Sequence, residues 1–600
     1  MAQQTIPKRS EIEKQYTWAT EDLFESDEAW LEELKACHCL TEQASAFRGR
    51  LGESAETLLS WLKFMDEAGL KLSRLESYAS LKADEDSAVS KYQDFRGKIT
   101  SLYVQVASAS AFADPELMGL SDETLRKFRE EEPELAVYDR YLYKVRRMKA
   151  HVLSEAEERI LAAADEVCNG PDLIGSTFRN ADLKFPRVKD SQGEEYVLTV
   201  GSFGSIRQSP DRVLRKNAFE TLYHTFYLYR NTVASILDAQ VRQLMFNAKM
   251  RNYSSTLEAS LDRNEVPVSV YHNLIDAVHE NMHLLHEYMD LRKKLMGLDE
   301  LHMYDIYVPM VTDCDVTITF EQAKATVLEG LSILGRDYTD TLKKGFDNRW
   351  IDVYENEGKR SGAYSSGCRP HPYVLLNHKD TLDCQFTLAH EMGHALHSYF
   401  SKEHQPAVNA NYVIFVAEVA STCNEVLLMK HLLSETKDRK EKAYLINYFL
   451  EQFRTTLYRQ TMFAEFEMQM NQKAEEGESL TADLLSQMYY ALNQQYYGDR
   501  MVVDPDIGME WAQVPHFFYN FYVFQYATGF SAAVAIANRI LEEGEEAVKD
   551  YREFLSSGGS QDPISLLKIA GVDMTTGKPV RDALTLFGEL LQEMEELMKD

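Results

Sequence analysis

The sequence is short of cationic charge: 64 Lys and Arg stand against 95 Asp and Glu, a formal net charge of −31. That deficit excludes a general nucleic-acid binder, because phosphate recognition needs a positive footprint. It argues equally against an anionic membrane surface. Long apolar runs are missing, and no stretch approaches the ~18 uninterrupted apolar residues of a membrane helix. The opening residues MAQQTIPKR lack the apolar core of a secretory signal, so the expected location is cytoplasmic. Cysteine is sparse. The seven, at positions 37, 39, 168, 314, 368, 384 and 423, are scattered and odd in number, which suits reduced thiols better than a disulfide framework. Cys37-His38-Cys39 has no second pair nearby and reads as incidental. No internal repeat or low-complexity tract is present, and the sequence carries no signal for oligomeric state.

What is there is a folded, mainly helical chain. Its 600 residues, 44% hydrophobic and 11% aromatic, suffice for two or three cooperating subdomains. Apolar residues recur at three-to-four spacing over 28–37, 55–68, 70–83, 88–108 and 155–165, predicting helices. Residues 183–201 read as strand, turn, strand. Helical patterns resume over 210–249 and 269–296. The expected division is an N-terminal helical domain over 1–200 and a catalytic domain over 201–600. A second sheet-like zone comprises 360–367 and 373–377, around a turn containing Pro370 and Pro372. Asp380 or Thr381 is a plausible N-cap for the helix that follows.

That helix carries His390-Glu391-Met392-Gly393-His394. Residues i and i+4 project from one helix face a turn apart, so both imidazoles can reach one metal ion. Glu391, beside the first histidine, can polarise a bound water without ligating. The arrangement suits zinc-dependent peptide hydrolysis. A second copy, His279-Glu280-Asn281-Met282-His283, means the pattern alone cannot choose. A catalytic zinc needs a third protein ligand. Glu418 supplies one, as a lone carboxylate in the apolar run 411–422 that is costly to bury unless paired or coordinating. Glu425, two helical turns on, can hold a ligating histidine. The earlier copy lacks such support, and its histidines read as a solvated helix face beside an apolar stripe. His397 lies too far along the helix to be a third ligand and reads as a supporting or substrate-facing group. It also stands where the longer HExxHxxGxxH pattern requires glycine, and Phe400 replaces that pattern's last histidine.

Two further segments are candidates. The Gly- and Ser-rich strand around Gly362, Ala363 and Tyr364 can pair with a substrate backbone. The aromatic run 514–529 sets His516 near Tyr522 and Tyr526, phenols able to donate to a developing oxyanion; spacing alone does not separate that role from core packing.

HEMGHALH, the later AEVASTCNE and the His-plus-tyrosine segment together resemble the thimet-oligopeptidase-like zinc peptidases, above all their bacterial oligoendopeptidase F branch. LDRNEVP at 261–267, YDIY at 304–307, QTMFAEFE at 460–467 and SSGGS at 556–560 add to it. The resemblance covers most of the chain and is most specific from about residue 200 onward. It implies a mainly α, two-lobed peptidase with a small β-sheet near the active site and a deep channel admitting short peptides. It implies one Zn2+ per chain held by His390, His394 and Glu418, with Glu391 as general base. His516 and the following tyrosines would bind the substrate carbonyl. The residue five after His516 is Phe521, with tyrosine one place later, so Tyr522 and Tyr526 both stand as candidates. The expected activity is endopeptidase cleavage of short oligopeptides. The rivals are trimming from one peptide end, which doubly blocked peptides would discriminate, and a silent binding protein, which a zinc assay would reveal.

Overall fold

The helices expected over 55–68 and 70–83 are one: Ala55–Glu85 runs unbroken for 31 residues, capped by the Ser54 hydroxyl on the Thr57 amide. A glycine inside a helix costs only about 1 kcal/mol, and the buried stripe of Leu58, Leu62, Leu72 and Leu75 continues across Gly69. The computed structural model describes residues 6–311 and 317–599; Cys314 and the first five residues lie outside them. The chain divides into two units, each assembled from three segments.

The first unit comprises Met1–Ala150, Val316–Leu428 and Ile536–Gly571. Trp30 anchors one of its cores, stacking on Phe95 with ring centroids 4.1 Å apart and donating to the Leu75 carbonyl at 2.9 Å. The same core reaches Tyr373 and Leu375 in the unit's sheet.

The second unit comprises His151–Asp315, Met429–Ala535 and Val572–Asp600. It contains a short antiparallel hairpin of β1 (Val188–Lys189) and β2 (Glu195–Tyr196), with Val188 opposite Tyr196. The second strand was expected to run to residue 200. It stops because Thr199 turns its hydroxyl onto the Ser202 amide and caps the helix Val200–Ile206, the competing use of a β-branched residue with an oxygen.

The sheet of the first unit has three strands: β3 (Ile351–Asp352), β4 (Tyr364–Ser366) and β5 (Tyr373–Leu375). β5 is central, parallel to β3 and antiparallel to β4. β4 and β5 occupy the expected zone. β3 escapes sequence reading because it is two residues long and half of it is a carboxylate. Asp352 is fully buried and is compensated by Lys359 at 2.7 Å and by Arg9, far away in the chain.

The helix expected over 269–296 is two, Val268–Glu280 and Met282–Leu295, separated at Asn281. The histidines of the second HExxH copy therefore sit on different helices. Nor is that face simply solvated, as expected. His279 Nε2 lies 2.7 Å from Glu465 Oε2, which also accepts from the Tyr496 hydroxyl at 2.9 Å. The surroundings of His279 make it a structural ion-pair partner.

Candidate metal centre and active site

The motif helix spans Leu382–His404 and starts at Thr381, whose side chain accepts from the Cys384 amide. Phe386, Leu388, Ala389, Met392, Ala395 and Leu396 bury its apolar side. His390 and His394 stay partly open on the other. Against it packs the helix Ala417–Glu435, which carries Glu418 in its first turn.

Gly393 makes that packing close. Asn424, fully buried, ties the two helices by donating to the Ala389 carbonyl at 3.0 Å, and accepts from the Tyr338 hydroxyl at 2.7 Å. A single buried amide thus bridges three helices and fixes their register.

The result is a triangle of ligand atoms. His390 Nε2 and His394 Nε2 are 3.2 Å apart, and Glu418 Oε2 lies 3.4 Å from the first and 3.5 Å from the second. Tetrahedral zinc with bonds of about 2.0–2.1 Å spaces its ligand atoms roughly 3.3–3.4 Å apart, so the donor set and its spacing fit zinc. Among the described residues this is the only group of three or more such side chains that converges in this way. Burial disfavours charge on His390, but hydrogen bonds to Glu418 and Glu425 outweigh it and hold the imidazole well above its ordinary pKa. Glu418 is likewise desolvated, yet the two histidines hold it well below the carboxylate range. Both directions describe a site that stabilises a positive charge.

Glu425 Oε1 lies 2.5 Å from His390 Nδ1. With Nδ1 engaged by Glu425, Nε2 is the ring nitrogen left to face the other two ligand atoms. Glu391 is buried, with Oε2 unpartnered among the described residues. Burial pushes its carboxyl up, against the lowering influence of His390 and His394. A carboxyl whose proton affinity is raised and whose Oε2 is unengaged among the described residues suits general-base chemistry.

His397 is placed differently. It is 1% exposed and stacked on Tyr412, centroids 3.8 Å apart, with Phe554 at 5.2 Å. Burial lowers it to about 3. It is a neutral ring packed in the core beside the motif histidines, His394 among the charges that act on it.

Gly362 and Ala363 lead into β4, which begins at Tyr364, forms one of the two edges of the sheet and packs on the motif helix. Tyr364 is anchored by its hydroxyl to Asp84 at 2.8 Å.

In the second unit the aromatic run sorts itself by side. Phe517, Phe521 and Phe524 are buried at 1%, 2% and 3% exposure. His516, Tyr522 and Tyr526 remain partly open and cluster, with His516 6.1 Å from Tyr522 and 6.0 Å from Tyr526 between ring centroids. Phe521, which breaks the expected tyrosine spacing, is thus a core residue. Burial keeps His516 below its ordinary pKa, hence neutral. Gly393 and Asn424 escaped sequence reading; the one available signal was a glycine and an amide inside otherwise apolar helical stretches.

Comparison with known proteins gives a consistent picture. The profile of Peptidase family M3 matches residues 205–586, and that of Oligopeptidase F matches residues 116–185. The chain is 46% identical to the oligopeptidase PepF of Bacillus subtilis, over 99% of this chain and 89% of that one. It is 41% identical to an oligoendopeptidase F homolog of Lactococcus lactis, over 98% of both. The crystal structure of oligoendopeptidase-F from Enterococcus faecium matches at TM-score 0.74 and 37% identity, covering 96% of this chain and 99% of that one. A solved chain from Chlamydophila abortus matches at TM-score 0.93 with 37% identity, covering 99% and 100%.

Proposed function

The chain belongs to peptidase family M3, and on that premise we propose that it is a zinc-dependent endopeptidase cutting internal bonds of short oligopeptides in the cytoplasm. The observation that carries this reading is the triangle of His390 Nε2, His394 Nε2 and Glu418 Oε2, with edges of 3.2, 3.4 and 3.5 Å. A zinc ion held by these three side chains would polarise the scissile carbonyl and lower the pKa of a bound water toward neutrality.

The protein's own groups do the rest. Glu391 takes the proton of the attacking water and returns it to the leaving amine. Its buried Oε2, unpartnered among the described residues, supports this role. Glu425 orients His390. His516, with Tyr522 or Tyr526, donates to the substrate carbonyl as negative charge develops on it; the partly open cluster they form and the family resemblance of the segment support this. The free edge of β4, entered through Gly362 and Ala363, pairs with the substrate backbone and so binds peptides with little regard for side chain. Six described cysteines without disulfide partners suit a reducing compartment.

The test is cleavage of an internally quenched, end-blocked short peptide, with chelator and with zinc restored. Internal cleavage that chelator abolishes and zinc rescues is expected. Turnover only of peptides with a free end would replace the endopeptidase reading by end-trimming.

A further inference from the structure

Asn520 and Phe521 are consecutive non-glycine residues in the left-handed region, with φ of 56° and 53°. L side chains adopt this conformation reluctantly, and a bulky aromatic there is an outlier. Such a pair persists only where its surroundings over-determine it.

Three contacts do so. The Phe521 amide donates to Glu467 Oε1 at 2.7 Å. The Ser260 hydroxyl donates to the Asn520 carbonyl at 2.7 Å. The Phe521 ring lies edge-on to Tyr271, centroids 5.8 Å apart. The pair lies between His516 and Tyr522 in sequence, at a bend of the chain.

Glu467 is the costly member of the three. It is 1% exposed, lies on the helix Arg459–Glu475 among buried Phe463, Phe466 and Met470, and its Oε2 has no partner among the described residues. Burial pushes its carboxyl up to about 8. An apolar side chain would fit this helix face at less cost. What an apolar side chain cannot do is accept the Phe521 amide.

We infer that Glu467 is a positioning residue: by accepting the Phe521 amide it locks the left-handed Asn520–Phe521 pair and so holds His516, Tyr522 and Tyr526 in their cluster. The inference rests on the reading that this cluster serves the substrate carbonyl.

The experiment compares Glu467→Gln, which keeps a carbonyl acceptor, with Glu467→Leu, which fills the space without one. Displacing a catalytic group by an ångström costs on the order of 100-fold, so Glu467→Leu is expected to lose roughly 30-fold or more in kcat. KM should change little, bound zinc should stay unchanged, and amide exchange should accelerate within 514–526. Glu467→Gln should recover most of the activity. Combined with Tyr522→Phe, Glu467→Leu should lose less than the product of the single losses, because the two act through one cluster. Should Glu467→Leu not fold, Ser260→Ala reads the same loop through its other anchor, with a milder loss of kcat and the same local exchange.

A folded Glu467→Leu protein with full kcat overturns the inference, as does a Glu467→Gln protein that loses as much as Glu467→Leu. So does Ser260→Ala with neither effect where Glu467→Leu cannot be made. Full activity in His516→Ala, Tyr522→Phe and Tyr526→Phe alike would instead sink the reading of the cluster itself.

Discussion

Gly393 faces the neighbouring helix so closely that a Cβ on it would lie 2.5 Å from Ser421 Cα and 2.7 Å from the Ala420 carbonyl oxygen. The residue between the two motif halves is therefore a packing requirement as well as a spacer. Backbone on both sides leaves nothing to rotate away, and this approach brings Glu418 to the histidines.

Gly393→Ala should push the helices apart. Overpacking of this kind costs typically about 1–3 kcal/mol, and the shift should fall on the ligand triangle. Thermal unfolding and zinc titration of the variant check this. Wild-type melting and wild-type zinc affinity together would refute the packing argument.

Glu391→Gln removes the base while leaving the three ligands untouched. Bound zinc should stay at the wild-type level, and kcat on a quenched peptide should fall by roughly 10²–10⁴-fold, the usual span for losing a general base. Near-normal turnover would show that another group moves the proton.

Glu425→Ala leaves His390 free to rotate. Zinc affinity should drop about 10–100-fold, as for other losses of a carboxylate behind a ligating histidine. Competition against a chromophoric chelator measures it. An unchanged affinity would mean that helix packing alone orients the imidazole.

His279→Gln isolates the second HExxH copy. Zinc content and peptide turnover should match the parent protein. Stability should differ with pH. The hydrogen bond to Glu465 is the largest influence on His279 and, against desolvation, raises its pKa above the ordinary 6.5. A raised folded-state pKa contributes stability that is complete below the unfolded value and is lost as pH climbs through the folded value. The parent should thus lead the variant at pH below about 6.5, and that lead should shrink on the alkaline side. Chemical denaturation across pH 5–9 reads this, and a lead that grows with pH would be the wrong sign.

Much of the architecture was legible locally. The caps at Ser54, Thr199 and Thr381 are side-chain oxygens acting within three residues, and one of them, Thr381, was anticipated. Thr199 was misjudged because a β-branched residue after a strand pattern serves equally as strand or cap. The joined helix over Ala55–Glu85 and the split at Asn281 erred in opposite directions. Glycine and asparagine bias a helix by about 1 kcal/mol or less, and tertiary packing decides whether that bias prevails.

The sequence by itself determined which residues could share a helix turn: His390 beside Glu391, and His394 one turn on, because helical periodicity is a property of neighbours. Tertiary structure decided which of two identical patterns could act. Asn281 parts the histidines of one, while Gly393 and Asn424 bring a distant carboxylate to the other. It alone decided that Asp352 is an ion-paired strand residue, that His397 is a stacked core ring, and that Glu467 serves an amide 54 positions away. Each of these is a contact beyond the reach of one helix turn or one strand step, the only ranges that local periodicity reports. Side chains of the same types sit at many surface positions, and only the fold selects the few that meet.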